Sequence, residues 1–195
     1  MAAKTGERKH QILQILAQML EDPAGERVTT AALAARLEVS EAALYRHFRG
    51  KAQMFEGLIE FIEQTVFALV NRITSEEKSG VRQLEAVIGV LLAFAQKNRG
   101  MTRVLIGDAL VNEDERLQAR INQLHDRIEA AVRQALRFAV TQNEVTQNAD
   151  LGAQANLVMA FVTGRWHQFA KSGFKRDPAE LWAKQWKQLM EGVLA

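Results

Sequence analysis

Apolar residues along the chain recur at intervals of three and four positions, and no segment alternates with a period of two over a sustained length. This spacing is typical of amphipathic helices, in which residues 3.6 positions apart share one face. We therefore expect an all-α protein of about nine helices. The longer ones are expected near residues 7–21, 51–74, 81–97, 116–139 and 150–171, with a shorter one near 101–111.

Breaks in the pattern indicate where helices begin and end. Asp22–Gly25 contains proline and glycine and should end the first helix. The polar stretch Thr141–Asn148 is the expected loop before the eighth helix. Asp177 should cap the last helix, with Pro178 in its first turn and Glu180 three residues after the cap.

The composition is that of a globular protein, with 48% hydrophobic and 25% charged residues and only two prolines. Cysteine is absent, which excludes disulfides and thiolate metal ligands. The first residues are charged, so we expect no signal-peptide core, and the longest apolar run, Val87–Ala95, is too short to cross a bilayer. We expect a cytoplasmic protein with no membrane partner.

The small positive net charge of +2 is unevenly distributed along the chain. Residues 1–51 contain eight basic and six acidic side chains, whereas residues 52–195 contain 17 of each sign. All of the excess positive charge therefore lies in the first quarter of the chain. This placement suits a polyanionic partner, although a solvated surface explains the same balance without any partner.

Catalytic and metal-binding patterns are missing from the sequence. Its four histidines do not match a metal-ligand spacing, and we find no phosphate loop or nucleophile motif. We expect no enzyme activity, no metal and no cofactor. His125 and Asp126 are neighbours on a helix and point about 100° apart. We therefore expect them to be surface residues and not a catalytic pair. Trp166 and His167 either line a ligand cavity or belong to the core or a dimer interface.

Residues 29–51 read TTAALAARLEVSEAALYRHFRGK and predict two short helices joined by a tight turn. That arrangement is a helix-turn-helix, whose second helix enters the major groove of DNA. Leu44 and Phe48 would face the core, and Arg46 could reach guanine or phosphate. A helical hairpin with a solvated face is the alternative. The candidate DNA-binding residues are Thr29, Thr30, Ser40, Glu41, Ala42, Ala43, Tyr45, Arg46, His47 and Lys51.

The same segment carries five short motifs, which are Thr29-Thr30, Leu33-Ala34, Val39-Ser40, Leu44–Phe48 and Gly50-Lys51. Together they resemble the N-terminal signature of the TetR family of bacterial DNA-binding proteins. The resemblance implies a helix-turn-helix DNA-binding domain over residues 1–52 and a helical C-terminal dimerisation and partner-binding domain over 53–195. Many members of the family have glycine in the turn where this chain has Glu38. A left-handed backbone there would cost about 1 kcal/mol.

Further matches lie outside this segment, at Met54-Phe55, Leu58–Glu63, Thr102-Arg103, Ala109-Leu110 and Arg120–Leu124. They are similar to one branch of the family, the nucleoid occlusion factors. That resemblance implies a protein on the nucleoid that antagonises assembly of the FtsZ ring over the chromosome. It also implies that the FtsZ tail docks between the fourth and fifth helices. The corresponding positions are Phe61, Leu69, Val90, Ala93, Lys97 and Asn98.

Phe61 also stands out from the helical projection of residues 51–74, since it lies about 120° from the centre of the apolar face. A phenylalanine in that position is either covered by another helix or exposed for a partner. Lys97 offers a cation and Asn98 an amide, which suits a short peptide with apolar and acidic residues.

The last two predicted helices carry features of a dimer interface. Small residues in the first and a large apolar face in the second predict a homodimer of four packed helices, and an intramolecular core is the alternative. A two-fold dimer implies a palindromic DNA site. The residues concerned are Ala153, Ala155, Ala160, Gly164, Leu181, Trp182, Trp186, Leu189 and Val193.

A second function remains open at this point, that of a TetR-type transcriptional repressor which responds to a small molecule. A buried cavity near Trp166, His167 and Asp108 would favour the repressor, and a filled core would favour the division factor.

Overall fold

Nine α-helices and one short 3₁₀ helix account for the fold in the computed structural model, which describes residues 2–22, 28–145 and 150–193. These ranges contain no β-strand, and the all-α prediction is confirmed. A 3₁₀ helix, Asp108–Leu110, lies between α6 and α7. The α-helices are α1 (Ala2–Met19), α2 (Thr30–Arg36), α3 (Glu41–Tyr45), α4 (Lys51–Glu76), α5 (Gly80–Lys97), α6 (Arg99–Leu105), α7 (Glu115–Thr141), α8 (Leu151–Lys171) and α9 (Trp182–Val193).

The chain packs into two compact units. The first comprises Met1–Ile62 and Asn98–Ile121, and thus α1 to α3, the start of α4, α6, the 3₁₀ helix and the start of α7. The second comprises Glu63–Lys97 and Asn122–Ala195. Both divisions fall inside long helices, α4 and α7. The boundary expected between residues 52 and 53 separates DNA binding from dimerisation and partner binding, and it stays a prediction.

In the first unit, α1 and α6 cross at very short range. A Cβ atom added to Gly100 would lie 1.9 Å from the main-chain oxygen of Ala17, so only glycine permits this approach. Arg103 of α6 donates hydrogen bonds to Asp108 and to the carbonyl of Asp22. The buried side chains of this unit include Ile12, Leu16, Leu33, Leu44, Phe48, Met54, Phe55, Leu58 and Ile59.

In the second unit, α5 packs against α8 around Trp166, which is almost completely buried. Its indole N–H donates to the main-chain oxygen of Leu91 at 3.1 Å, so the polar end of the ring is satisfied inside the core. Gly80 lies against the backbone of Ala139, where a Cβ atom would clash. The buried side chains include Leu84, Val87, Ile88, Leu91, Leu124, Ile128, Val132, Val158 and Val162.

The predicted start of the last helix is wrong by four residues. Asp177 does cap a turn, since its side chain accepts a hydrogen bond from the amide of Ala179 at 2.8 Å, but α9 begins only at Trp182. The guanidinium of Arg165 donates to the carbonyls of Asp177 and Pro178. The Asp177 carbonyl also accepts a long 3.4 Å hydrogen bond from the amide of Glu180, and the chain passes through turns before α9.

The sixth helix is also shorter than expected, because it ends at Leu105 rather than near Val111. Gly107 has a φ of 76°, which interrupts the helix, and the 3₁₀ turn follows. Two expected breaks, within Asp22–Gly25 and Thr141–Asn148, lie partly outside the described residues. None of the helices in the described ranges is long and apolar enough to span a membrane.

Candidate nucleic-acid interface

The second helix begins at a well-formed cap. Thr29 has an extended backbone, and its hydroxyl accepts a hydrogen bond from the amide of Ala32 at 3.1 Å. That bond satisfies one of the amides that have no partner at a helix start. Leu33 and Ala34 are buried, so α2 is fixed on the core through these two residues.

The turn between α2 and α3 contains Glu38 in a left-handed conformation, with φ of 54°. The amide of Val39 donates to the carbonyl of Ala34 at 3.0 Å, and that of Glu38 donates to Ala35 at 3.1 Å. These two bonds define a Schellman motif, which usually places glycine at the left-handed position. Glu38 therefore does adopt the left-handed backbone that the sequence analysis considered at this position.

The third helix carries its apolar and exposed residues on different faces. Ser40 caps it, accepting from the amide of Ala43 at 3.3 Å. Leu44 and Phe48 are buried as predicted. The residues expected to face DNA lie on the outside: Glu41, Ala42, Tyr45 and Arg46 are exposed, and Ala43 is half-buried. Tyr45 has 47% of its surface accessible.

Thr30 and Glu41 are joined by a 2.6 Å hydrogen bond from the hydroxyl to the carboxylate. The bond links the first residue of α2 to the first residue of α3. It restricts the angle between the two helices and holds the Glu41 carboxylate at the start of α3, where its charge suits the helix dipole.

His47 and Lys51 are placed differently from the other candidate residues. His47 is half-buried, and its Nδ1 atom finds no hydrogen-bond partner within the described ranges. Lys51, expected to donate to a DNA phosphate, forms an ion pair with Glu113 in the loop before α7. No local pattern predicts that pair, because the two residues are separated by 62 positions.

The residues predicted to hold the FtsZ tail divide between the two units. Phe61 and Asn98 belong to the first, and the other four belong to the second. Phe61 is half-buried, and its ring contacts His10 of α1 edge-on at 6.1 Å between centroids. In the second unit, Lys97 is exposed at the end of α5, and the half-buried residues are Leu69, Val90 and Ala93.

An apolar stripe runs along the outside of α8. Ala153, Ala160 and Gly164 are exposed, whereas Ala155 is buried in the core. Leu157 lies on the same stripe with 50% of its surface accessible. Leu157 is not among the residues predicted for the dimer interface, although its spacing from Ala153 and Ala160 places it on that face. On the following segment, Leu181 is also exposed, at 45%.

The three residues named for an effector cavity do not share one environment. Trp166 is buried and its neighbour His167 is exposed. Asp108 belongs to the first unit, where it pairs with Arg103 at 2.9 Å.

Comparison with protein families gives two matches that together cover most of the chain. Residues 17–58 match the model for bacterial regulatory proteins of the tetR family. Residues 78–193 match the SlmA-like model of the tetracyclin repressor-like C-terminal domain. Curated nucleoid occlusion factors SlmA align with the full chain. That of Marinomonas sp. is 45% identical over 194 residues, 100% of this chain and 98% of its own length.

The chain belongs to the SlmA family of TetR-type proteins. The SlmA of Alteromonas mediterranea is 48% identical over 95% of both chains. Among solved structures, a TetR regulator from Haloarcula marismortui aligns with a TM-score of 0.81, 12% identity and coverage of 97% of this chain and 100% of its own. The fatty acid degradation regulator FadR of Bacillus halodurans aligns with a TM-score of 0.79 and 15% identity, and the alignment covers 95% of both chains. At these identities the structures establish the fold, and the SlmA sequences establish the family.

Proposed function

We propose that this protein is a nucleoid occlusion factor, a DNA-binding homodimer on the nucleoid that prevents FtsZ ring assembly over the chromosome. The observation that carries the proposal is the identity of 45% to 48% with SlmA proteins along essentially the whole chain. Similarity over both units supports a shared mechanism, and not merely a shared DNA-binding segment.

DNA is bound through the face of α3, according to this proposal. Small side chains at Ala42 and Ala43 allow the helix to approach base edges, and Arg46 is exposed beside them. Thr29 and Ser40 lie at helix starts, where phosphate oxygens are commonly bound. The DNA-binding domain covers residues 1–52, and the remaining chain provides dimerisation and partner binding.

The homodimer forms through α8 and α9 and presents two copies of α3 to a palindromic site. The exposed stripe at Ala153, Leu157, Ala160 and Gly164 supports this arrangement, since small residues let helices approach closely. The rings of Phe161 on α8 and Trp182 on α9 lie 6.0 Å apart between centroids, with 36° between their planes.

FtsZ is bound through its C-terminal tail on α4 and α5. Lys97 is exposed and supplies a positive charge for an acidic residue, whereas Leu69 and Val90 supply apolar contact. The family resemblance also assigns Phe61, Ala93 and Asn98 to binding of the tail. The combination fits a short peptide with both apolar and acidic side chains.

The test is to measure the binding of an FtsZ tail peptide to variants that still bind DNA. We expect Phe61→Ala and Lys97→Glu each to weaken peptide binding at least tenfold. Phe67→Ala is the matched control for the first, because Phe67 lies on the same helix, covered by the guanidinium of Arg127 at 4.0 Å. Arg82→Glu is the control for the second. Unchanged affinity in both test variants would leave α4 and α5 without this role.

A further inference from the structure

Lys51 is held in a partly buried ion pair at the edge of the proposed DNA interface. Its ammonium contacts the Glu113 carboxylate, and the side chains are 20% and 9% exposed, respectively. The same nitrogen lies 5.7 Å from the centroid of the Phe55 ring. An ion pair with this little exposure is screened less by salt than a surface pair.

Lys51 is the first residue of α4 and is one of the candidate DNA-binding residues. The pair with Glu113 neutralises its charge and occupies one of the three N–H donors of the ammonium, and so it weakens contact with a DNA phosphate. The neighbouring Arg103 does not relieve this conflict. Its guanidinium donates to Asp108 and to the carbonyl of Asp22, and is already committed to the fold.

Space for a rearrangement lies directly beside the pair. A cavity of about 210 Å³ is lined by Lys51, Phe55, Arg103, Val111 and Glu113, among others. The lysine side chain can therefore turn away from Glu113 without displacing the core. Phe55 itself is buried and provides a fixed wall.

We propose that Glu113 is an autoinhibitory residue, which competes with DNA phosphates for Lys51 and so lowers the affinity for DNA. The inference rests on the proposed DNA-binding function and adds a regulatory element to it. Phosphate contacts carry no base information, so the competition lowers non-specific binding as well as binding to the palindrome. Glu113 lies two residues before the start of α7.

Glu113→Gln tests the competition, with DNA affinity measured over a range of salt concentrations. We expect about tenfold tighter binding at low salt for both specific and non-specific duplexes. We also expect the slope of log K against log salt to steepen by about 0.9 for each protomer that gains one phosphate contact. In a Lys51→Gln background, the same substitution should change nothing.

Asp114→Asn is the matched control, because it removes the same charge one position away. Hydrogen bonds from Arg116 lower the pKa of Asp114 to about 2, so the native residue is ionised at neutral pH. An equal gain in this variant would assign the effect to net charge and overturn the proposal. If the glutamine variant does not fold, Glu113→Asp replaces it. This substitution shortens the side chain and keeps its charge, and it should give an intermediate gain in DNA affinity.

The experiment separates failure of the inference from failure of the proposed function. If the native protein binds no DNA, the DNA-binding function fails. If it binds DNA but Arg46→Ala does not weaken binding, the placement of DNA on α3 fails. If Arg46→Ala weakens binding but Glu113→Gln leaves it unchanged or weaker, the function stands and the competition is refuted.

Discussion

The hydroxyl of Thr30 donates a 2.6 Å hydrogen bond to the carboxylate of Glu41, which connects the starts of the two helices in the helix-turn-helix. The side chains that would face DNA on α3 depend for their orientation on the angle between α2 and α3. The bond therefore influences DNA recognition by fixing the angle between α2 and α3, in addition to any direct contact that Thr30 and Glu41 make with DNA.

Removal of this bond should weaken DNA binding more than it weakens the fold. We expect Thr30→Val to lower the free energy of unfolding by about 1 kcal/mol or less, since the bond is exposed. DNA affinity should fall several-fold. A double-mutant cycle with Glu41→Ala measures the coupling, and strictly additive effects on affinity would show that the bond has no such role.

Glu38→Gly should stabilise the protein by about 0.5 to 1 kcal/mol. The left-handed backbone at this position, with φ of 54°, strains any residue that has a Cβ atom, and glycine relieves the strain. The measurement is urea unfolding. Glu38→Ala is the matched control, because it removes the same carboxylate but keeps the Cβ atom; an equal gain in the alanine variant would assign the effect to charge.

Gly100→Ala should destabilise the first unit by about 3 kcal/mol, because the new Cβ atom would lie 1.9 Å from the main-chain oxygen of Ala17. The helices α1 and α6 must separate to accept it. Gly6→Ala provides the control, since nothing lies within 4 Å of its Cβ position. That substitution should be neutral or slightly stabilising through helix propensity. A similar loss in both variants would contradict this account of the crossing.

Gly164→Leu should disrupt the dimer without disturbing the fold of one chain. Apart from the backbone of its own helix, no atom of the described residues lies within 4 Å of the Gly164 Cβ position, so a larger side chain has room until a second chain approaches. Sedimentation at micromolar concentration should give the monomer mass for this variant and the dimer mass for the native protein. Gly6→Leu, also in open space on another helix, should remain dimeric. A native protein that sediments as a monomer would refute the interface.

The stability of the second unit should fall at acid pH through Glu144. Burial raises the pKa of this carboxyl, but hydrogen bonds from Ser79 and from the amides of Val81 and Gly80 outweigh it, and the pKa lies below its ordinary value of 4.5. The ionised group therefore contributes stability above about pH 4.5, and this contribution is lost as the pH falls through the lowered pKa.

Urea midpoints of the native protein and Glu144→Gln, measured between pH 3 and pH 7, test this contribution. The two midpoints should differ at pH 7 and converge at pH 3. Glu180→Gln, at another exposed carboxylate of the same unit, serves as the control. A difference that stays constant across the range would mean that ionisation of Glu144 does not matter.

Local sequence signals predicted most of the helices. The caps at Thr29 and Ser40 are signals of the same kind, because each acts on an amide three residues away. The turns before α9 were not predicted, since the guanidinium of Arg165, which donates to the carbonyls of Asp177 and Pro178, lies on another helix. Glu113 was missed for the same reason, since no local pattern links it to Lys51.

A map of binding sites along the chromosome, taken for the native protein and for Arg46→Ala, tests the central claim most directly. The account predicts that the native protein occupies palindromic sites spread across the chromosome and that the variant loses them. A single site beside the protein's own promoter, released by a small molecule, would contradict the account and identify a local repressor.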